Sequence, residues 1–307
     1  MSIYTTDQIC IVIPTKDRPN KVKNLLNSIK NQTIKIKHIK IIASGMDINS
    51  LIKEFDNDLF IDYIYSNQSG QIYQRNLGLK RVSENINLIM TLDDDVIFEI
   101  DAFENILSFI NNLEDKFVGI AFNLTNIKKH KYSYLKEKIW LSHKYAGRVL
   151  QSGYVTSIGS LDYSIKSEWL IGGASLWIKD VLLERIKYQY KNDIWSPCED
   201  VMFSYQFNNS CDMWVCSTAK AIHDDEIKFS NFKIAFKKGF ILSEWVYYFV
   251  KNYNLSTFKF IVATVISSII SSLMSIFSKK LFFNIGRFVF VFSLIIKLLT
   301  NILRFSK

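Results

Sequence analysis

Short apolar runs alternate with amphipathic stripes through the N-terminal part of the chain. Ile11–Val12–Ile13 has the length and β-branched character of a buried strand. Val22, Leu25, Leu26 and Ile29 then recur at i, i+3, i+4 and i+7, the inward stripe of a helix. The alternation continues. Ile39 to Ala43 and Phe60 to Tyr65 read as strands, Gln71 to Val82 as a helix, and Asn87 to Leu92 as another strand. Beyond it Phe103, Ile106, Leu107, Ile110 and Leu113 mark another amphipathic helix, and Phe117 to Phe122 a further strand. This succession predicts an α/β domain whose sheet is covered by helices on both faces.

Between Asn123 and Lys166 the periodicity fades and Lys, Tyr, His and Ser dominate, as in a surface excursion that shapes an acceptor pocket. Order returns at Trp169 to Ser175, where Gly172–Gly173 permits either a close backbone approach to a ligand or a bulge. A helix from Val181 to about Tyr188 and a short one from Glu199 follow. The pattern then changes. Phe232, Phe236 and Phe240 recur every four residues beside Lys233, Lys237 and Lys238, and Trp245, Tyr247 and Tyr248 come next. Such a helix either lies in a membrane interface or packs on the preceding domain. Phe260 to Ser278 is a run of nineteen residues without charge, about 28 Å as a helix and close to the hydrocarbon thickness. Thr264, Ser267, Ser268, Ser271, Ser272 and Ser275 fall on one side of it, with Val262, Ile266, Ile269, Leu273 and Phe277 on the other. A stripe of small hydroxyl residues lets helices approach closely, which leaves open a hairpin partner or a second copy of the chain in a homo-oligomer. Arg287 interrupts the next apolar run, and Lys279 and Lys280 would fall on the far side of a full hairpin. That placement favours a re-entrant or surface-lying arrangement over two clean spans. The expected division is a catalytic domain over 1–226 and a basic, apolar helical membrane-association region over 227–307.

Composition sharpens this. A chain of 307 residues, 49% hydrophobic, has room for a large α/β domain with an appendage and is not generally disordered. The net charge of +9 is unevenly placed: from Ile227 onward twelve Lys or Arg face the single acid Glu244, leaving the rest of the chain at −2. Basic residues interleaved with long apolar runs fit an anionic membrane surface and argue against a nucleic-acid partner. Met1 to Gln8 is polar and the apolar run Cys10 to Pro14 is too short for a secretory signal, so this part is expected in the cytoplasm. Cys10, Cys198, Cys211 and Cys216 form no C-x-x-C pair and read as free thiols of a reducing compartment. The triplets Asn123–Thr125 and Asn208–Ser210 carry no weight without secretion.

Chemistry enters where Asn87 to Leu92 stops in Asp93, Asp94 and Asp95. An apolar strand ending in acids places them at a carboxyl edge, where open α/β sheets bind ligands. Adjacent carboxylates repel. A hard cation with oxygen ligands, Mg²⁺ or Mn²⁺ bridging to substrate phosphates, relieves the repulsion, whereas a solvated acidic turn is the plain alternative. Glu199–Asp200 follows Pro197 at a predicted helix N-terminus, where an acid serves as a favourable charge or as a general base.

Cys10 to Pro19, Ser69–Gly70 leading to Gln74–Arg75–Asn76–Leu77–Gly78, Asp93–Asp94–Asp95, Gly172–Gly173 and Glu199–Asp200 occur in an order and separation that resembles the family 2 nucleotide-sugar-dependent glycosyltransferases of bacterial cell-surface polysaccharide synthesis. The resemblance spans about Gln8 to His223. It implies the GT-A fold, a Rossmann-like mixed sheet flanked by helices. It further implies that Pro14, Thr15, Asp17 and Arg18 border the base and ribose, and that Asp47 stands for the acid after the second strand, at looser spacing. Arg75 would reach the diphosphate, because a guanidinium matches phosphate oxygens bidentately. Asp93, Asp94 and Gly173 would lie beside the nucleotide sugar. Asp95, with Asp93 and His223, would hold Mn²⁺ or Mg²⁺, and Asp200, with Glu199, would act as base on the acceptor hydroxyl.

The Gln-x-x-Arg-Trp element of processive members is absent, so one sugar per binding event is expected. These implications converge on an inverting, metal-dependent transfer from a nucleotide-diphosphate sugar to a lipid-linked or saccharide acceptor, at the cytoplasmic face of the inner membrane. The rivals are a transferase acting directly on polyprenyl phosphate, a nucleotidyltransferase, and an inactive membrane-bound scaffold of the same fold. The nucleotidyltransferase would want a Gly-rich loop after the first strand, and Pro14–Thr15–Lys16–Asp17–Arg18 lacks one.

Overall fold

The computed structural model describes residues 3–185, 196–208, 212–224 and 229–305. Cys211, Asp225, Ile227, the helix end expected near Tyr188 and most of the Asn208–Ser210 triplet lie outside the described residues. The chain forms two compact units, one of Met1–His130 with Ser157–Asp225, the other of Lys131–Thr156 with Glu226–Lys307.

In the first unit, β1 (Ile9–Lys16), α1 (Pro19–Lys30), β2 (His38–Ser44), α2 (Asn49–Lys53), β3 (Ile61–Tyr65), α3 (Gln71–Leu79) and β4 (Leu88–Leu92) follow the expected alternation. Next come β5 (Val96–Phe98), α4 (Ala102–Asn111) and β6 (Phe117–Leu124). In the second unit, α5 (Tyr134–Lys138) follows. The first unit resumes with β7 (Ile165–Ser167), β8 (Ala174–Ile178), α6 (Lys179–Arg185), α7 (Glu199–Tyr205) and β9 (Asp212–His223). The strands form one sheet in the order β3-β2-β1-β4-β8-β6-β9-β5, with β7 on β9. It is mixed: β1, β2, β3 and β4 run parallel, whereas β8 is antiparallel to both β4 and β6. This is the helix-flanked mixed α/β sheet that the motif order implied. Because β1 and β4 are parallel neighbours, Thr15–Arg18 and Asp93–Asp95 emerge at the same edge.

The helices dock through the stripes read from the sequence. Val22, Leu25, Leu26 and Ile29 are all buried on α1, and Pro19 opens that helix where its missing N–H costs nothing. On α3, Gly78 is required by close packing, since a Cβ there would stand 2.5 Å from Ile42 and 2.7 Å from Val12. Pairing of β1 with β4 runs only to Val12↔Thr91, so Pro14, which has no N–H, falls where β1 needs no donor for that neighbour.

The second unit is helical. α8 (Phe232–Asn252), α9 (Thr257–Leu273) and α10 (Lys280–Phe305) pack together, and 131–156 belongs with them. Gly239 and Gly286 bring the α8 and α10 backbones into contact, each lying against a carbonyl oxygen of the other helix, Phe283 and Phe236 respectively. The excursion is pinned by Ser256 N–H donating to the Gln151 carbonyl at 2.9 Å and by a 2.9 Å hydrogen bond between Tyr154 and Thr264. The uncharged run Phe260 to Ser278 does not form one nineteen-residue helix: α9 ends at Leu273, and Ser275 and Ser278 bond back to Ser271 and Ser275 carbonyls. Such local hydroxyl bonds compete with helix continuation. Among the described residues, one helix is long and apolar enough to cross a membrane, Lys280–Asn301, which contains Arg287.

Candidate active site

The three aspartates have three different environments. Asp93 is locked to the opposing strand, its N–H donating to the Gly173 carbonyl at 2.8 Å, while its carboxylate accepts from Gln71 Nε2 at 2.7 Å and Arg75 at 3.3 Å. Gly173 has to be glycine here, because a Cβ would stand 2.1 Å from the Asp93 carboxyl carbon. Asp94 accepts from the Thr15 hydroxyl at 2.6 Å and from Arg18 at 3.2 Å. Asp95 accepts from Arg18 at 2.8 Å and lies 3.2 Å from His223 Nε2. Burial raises the pKa of Asp93, with Arg75 opposing, and pushes Asp94 up to about 6 against Thr15 and Arg18. For Asp95 burial acts in the same direction, but His223 and Arg18 together hold it below the usual carboxylate range.

His223 reaches this cluster because β9 is long. Its last residues pair antiparallel with β5, Val96 opposite His223, and Asp224 N–H donates to the Asp95 carbonyl at 2.6 Å. Asp93, Asp95 and His223 each offer one ligand atom, all within 4.8 Å of one another. Asp95 Oδ1 is buried and receives no properly directed hydrogen bond, although His223 Nε2 is close. Two carboxylate oxygens and an imidazole nitrogen, one of them short of a donor, fit a divalent cation of the Mn²⁺ or Mg²⁺ kind.

At the tips of β1 and β2, Asp17 adopts φ +54° and its carboxylate accepts from Met46 N–H at 2.8 Å. Gly45, at φ +75°, leaves the space that carboxylate occupies. The tips of β1 and β2 are thereby tied together. Asp47 lies just beyond, accepting from Tyr63 hydroxyl at 2.6 Å and Asn49 N–H at 2.9 Å, and these bonds hold its carboxyl below the usual range. Gln74, a residue whose role sequence reasoning missed, is 2% exposed. Its amide donates to the Thr15 and Ile42 carbonyls at 2.7 Å each and accepts from Ser44 Oγ and Gly70 N–H at 3.2 Å each.

Across the cleft, Cys198 at φ +65° turns the chain sharply into α7, which begins with Glu199 and Asp200. Arg75, its side chain 11% exposed, joins the two sides of the site, donating to Glu199 at 2.7 Å as well as to Asp93. Asp200 accepts from Val201 N–H at 2.8 Å, and burial followed by the Glu199 charge pushes its pKa up to about 7. Burial pushes the Cys198 thiol up to about 12, so it is no nucleophile. Asp93, Glu199, Asp200, His223 and the Gly172–Gly173 pair line one cleft of about 340 Å³.

Glu199–Asp200 and the aspartate triplet are legible as short acidic motifs. Gln71 and Gln74 are not, since their meaning lies in partners from other strands. The only signal for His223 as a member of the cluster is its place after the strand-like Met213–Cys216 segment.

Residues 10–166 match the family model described as glycosyl transferase family 2. An uncharacterized glycosyltransferase of Rickettsia bellii (strain RML369-C) is 31% identical over 113 residues, 36% of this chain, and the match spans 16% of that relative's length. The crystal structure of S. aureus TarS is similar with a TM-score of 0.49 at 12% identity, over 78% of this chain and 43% of that one.

Proposed function

Since this chain belongs to glycosyl transferase family 2, and is thus a glycosyltransferase, we propose that it transfers a sugar with inversion from a nucleotide-diphosphate donor to a lipid-linked saccharide in cell-surface polysaccharide synthesis. One arrangement carries this reading: Asp200 and Glu199 line the same cleft as Asp93 and His223 of an Asp-Asp-His cluster, and desolvation pushes the Asp200 pKa up to about 7.

Asp200 is the general base. Its raised pKa lets it be ionised near neutrality yet basic enough to take the proton of an acceptor hydroxyl as that oxygen attacks the anomeric carbon. Attack from the face opposite the departing nucleoside diphosphate gives inversion without a covalent intermediate. Glu199 holds Arg75, and Arg75 in turn holds Asp93 at 3.3 Å, so the acid pair and the aspartates keep a fixed relation through one guanidinium. Thr15, Asp17, Arg18 and Asp47 form the wall for base and ribose, with Asp94 anchoring Thr15 and Arg18. A divalent cation held by Asp95, Asp93 and His223 would neutralise the charge developing on the diphosphate.

A membrane location, at the cytoplasmic face of the inner membrane, is supported by the helical unit. On α9 and beyond, Thr264 and Ser268 are buried whereas Leu273, Met274 and Phe277 are 67%, 84% and 103% exposed. Inward hydroxyls beside Phe260 and large apolar groups left outward suit a hydrocarbon surrounding. Transfer onto polyprenyl phosphate itself is the second reading, favoured by the cation Arg287, 8% exposed within that unit. A panel of nucleotide sugars with Mn²⁺, scored for nucleoside diphosphate release, tests the proposal. Turnover with one of them is expected; none with any would leave the inactive scaffold.

A further inference from the structure

Of the excursion between Asn123 and Lys166, Ile127, Ser157, Ile158 and Gly159 line the cleft, whereas 131–156 belongs with the helical unit. This segment is strongly one-signed: Lys131, Lys136, Lys138, Lys144 and Arg148 stand against the single acid Glu137. Glu137 is itself engaged, accepting from the Tyr132 hydroxyl at 2.7 Å. Lys138 and Lys144 lie over the rings of Tyr134 and Tyr145, 5.0 and 5.6 Å from their centroids. Large apolar and aromatic groups share this surface: Tyr134 is 59% exposed, Leu135 79% and Tyr145 60%. A single exposed apolar side chain is ordinary, but several set among lysines mark a surface made for a partner.

The segment is held in shape by its own hydrogen bonds. Ser133 caps α5, its hydroxyl accepting from Lys136 N–H, and its own N–H donates to Ser142 Oγ at 3.2 Å. Ser152 Oγ donates to the Trp140 carbonyl at 2.5 Å. The Trp140 ring packs edge-on against Phe258 with centroids 6.3 Å apart, and the Lys259 ammonium lies over it at 5.4 Å. Phe258, half in water or more, and Lys259 open α9, so that end of the helix continues the surface of lysines and aromatic rings. The other end of α9 and the turn beyond it carry Leu273, Met274 and Phe277, which point outward within the uncharged run. Cations with aromatic rings at one level and uncharged apolar side chains at another follow the layers of a bilayer from headgroup to hydrocarbon.

From this juxtaposition we infer that 131–148 and the start of α9 form a docking surface for an anionic bilayer, with the lysines on its headgroups and Tyr134, Leu135 and Phe258 at the edge of its hydrocarbon. A soluble polyanion would satisfy the lysines but leave Leu135, on the same short helix as Lys136 and Lys138, in water. Continuity with the uncharged outward face of α9 favours a bilayer over an acidic protein. The inference rests on the membrane location proposed above and goes beyond it, because it assigns the choice of lipid charge to a segment outside the three long helices.

The test is binding of the full-length protein to vesicles of phosphatidylcholine, alone or mixed with phosphatidylglycerol. The wild type is expected to bind the mixed vesicles about tenfold or more tightly than the neutral ones. Lys136→Gln, Lys138→Gln and Lys144→Gln combined should remove most of that preference while leaving binding to phosphatidylcholine within about twofold. Leu135→Ser should weaken binding to both kinds of vesicle by roughly threefold to tenfold. All four side chains are exposed, so the variants keep the fold. A wild type without preference, or a triple variant that retains it, would overturn the inference. So would an unaffected Leu135→Ser beside a triple variant that has lost the preference, which would make the lysines a site for a soluble polyanion. Wild type that ignores every vesicle would remove the membrane reading itself together with this surface, leaving nucleotide-sugar turnover as a separate result.

Discussion

Asp200 is the second residue of α7, its carboxyl withdrawn from water beside Glu199, and both circumstances act on its proton. Its pKa, pushed up to about 7, makes kcat/KM rise with pH through about 7 and level off above it. Asp200→Asn should keep donor binding within a few fold while transfer falls by roughly 10²–10⁴-fold, checked by separate binding and turnover assays. The same substitution carries a stability signature. A carboxyl whose folded pKa lies above its unfolded value favours the folded state fully below about 4, and that contribution is lost as pH rises to about 7. Asp200→Asn should therefore raise Tm most above pH 7 and hardly at all near pH 4. Asp95→Ala acts on the other wall: binding of a nucleoside diphosphate should lose its dependence on Mn²⁺, as measured by calorimetry. Of these residues, the acids were readable as motifs because each run is local. Arg75 was readable only as a cation for phosphate; that it spans from Asp93 to Glu199 depends on partners 18 and 124 residues away.

Four groups from β1, β2 and the start of α3 converge on the Gln74 amide, which makes this side chain a clamp on the β1–β2 edge proposed to bind the donor. In Gln74→Leu each group left unsatisfied costs about 1–3 kcal/mol. Tm should fall by several degrees, and the donor KM should rise more than kcat falls. Gly173→Ala meets Asp93 rather than solvent, so it should depress kcat/KM by tenfold or more, whereas an alanine at Gly172 has 3.3 Å to its nearest neighbour and should be far milder. At this scale the sequence is readable wherever burial is simple. β1 and β4 are buried on both faces and α1 on one, and their residues say so. β5 and β7 are three residues each, too short for a periodic signal. β9 hid its C-terminal half because Ser217, Lys220 and His223 interrupt the apolar pattern, and that half delivers His223 to the aspartates. On α9 the absence of charge suggested a longer helix than the serine hydroxyls permit.

Across the whole molecule the two units differ in what they bury and what they expose. The sheet unit keeps Ile, Val and Leu inside and its acids at one edge, whereas α9 and α10 bury Thr264, Ser268, Asn284 and Arg287 alongside Phe260, Val291 and Leu294 and leave Leu273, Phe288 and Phe292 exposed. Replacing Leu273, Met274 and Phe277 together by Ser should release the protein from vesicles in flotation while leaving nucleotide-sugar hydrolysis intact. Persistent flotation would assign membrane binding to the lysine-rich surface instead. The excess of twelve basic residues over one acid from Ile227 onward is legible in the sequence, but the inward hydroxyls became meaningful only once their packing was seen. The enzymatic reading stands on the acids that face each other across the cleft. Its most direct test is single-turnover transfer by wild type and Asp200→Asn, with Mn²⁺ and the nucleotide sugar that the panel selects. Wild type should release nucleoside diphosphate and glycosylate its acceptor while Asp200→Asn binds the donor and stalls; wild-type turnover by Asp200→Asn would remove the base and the mechanism built on it.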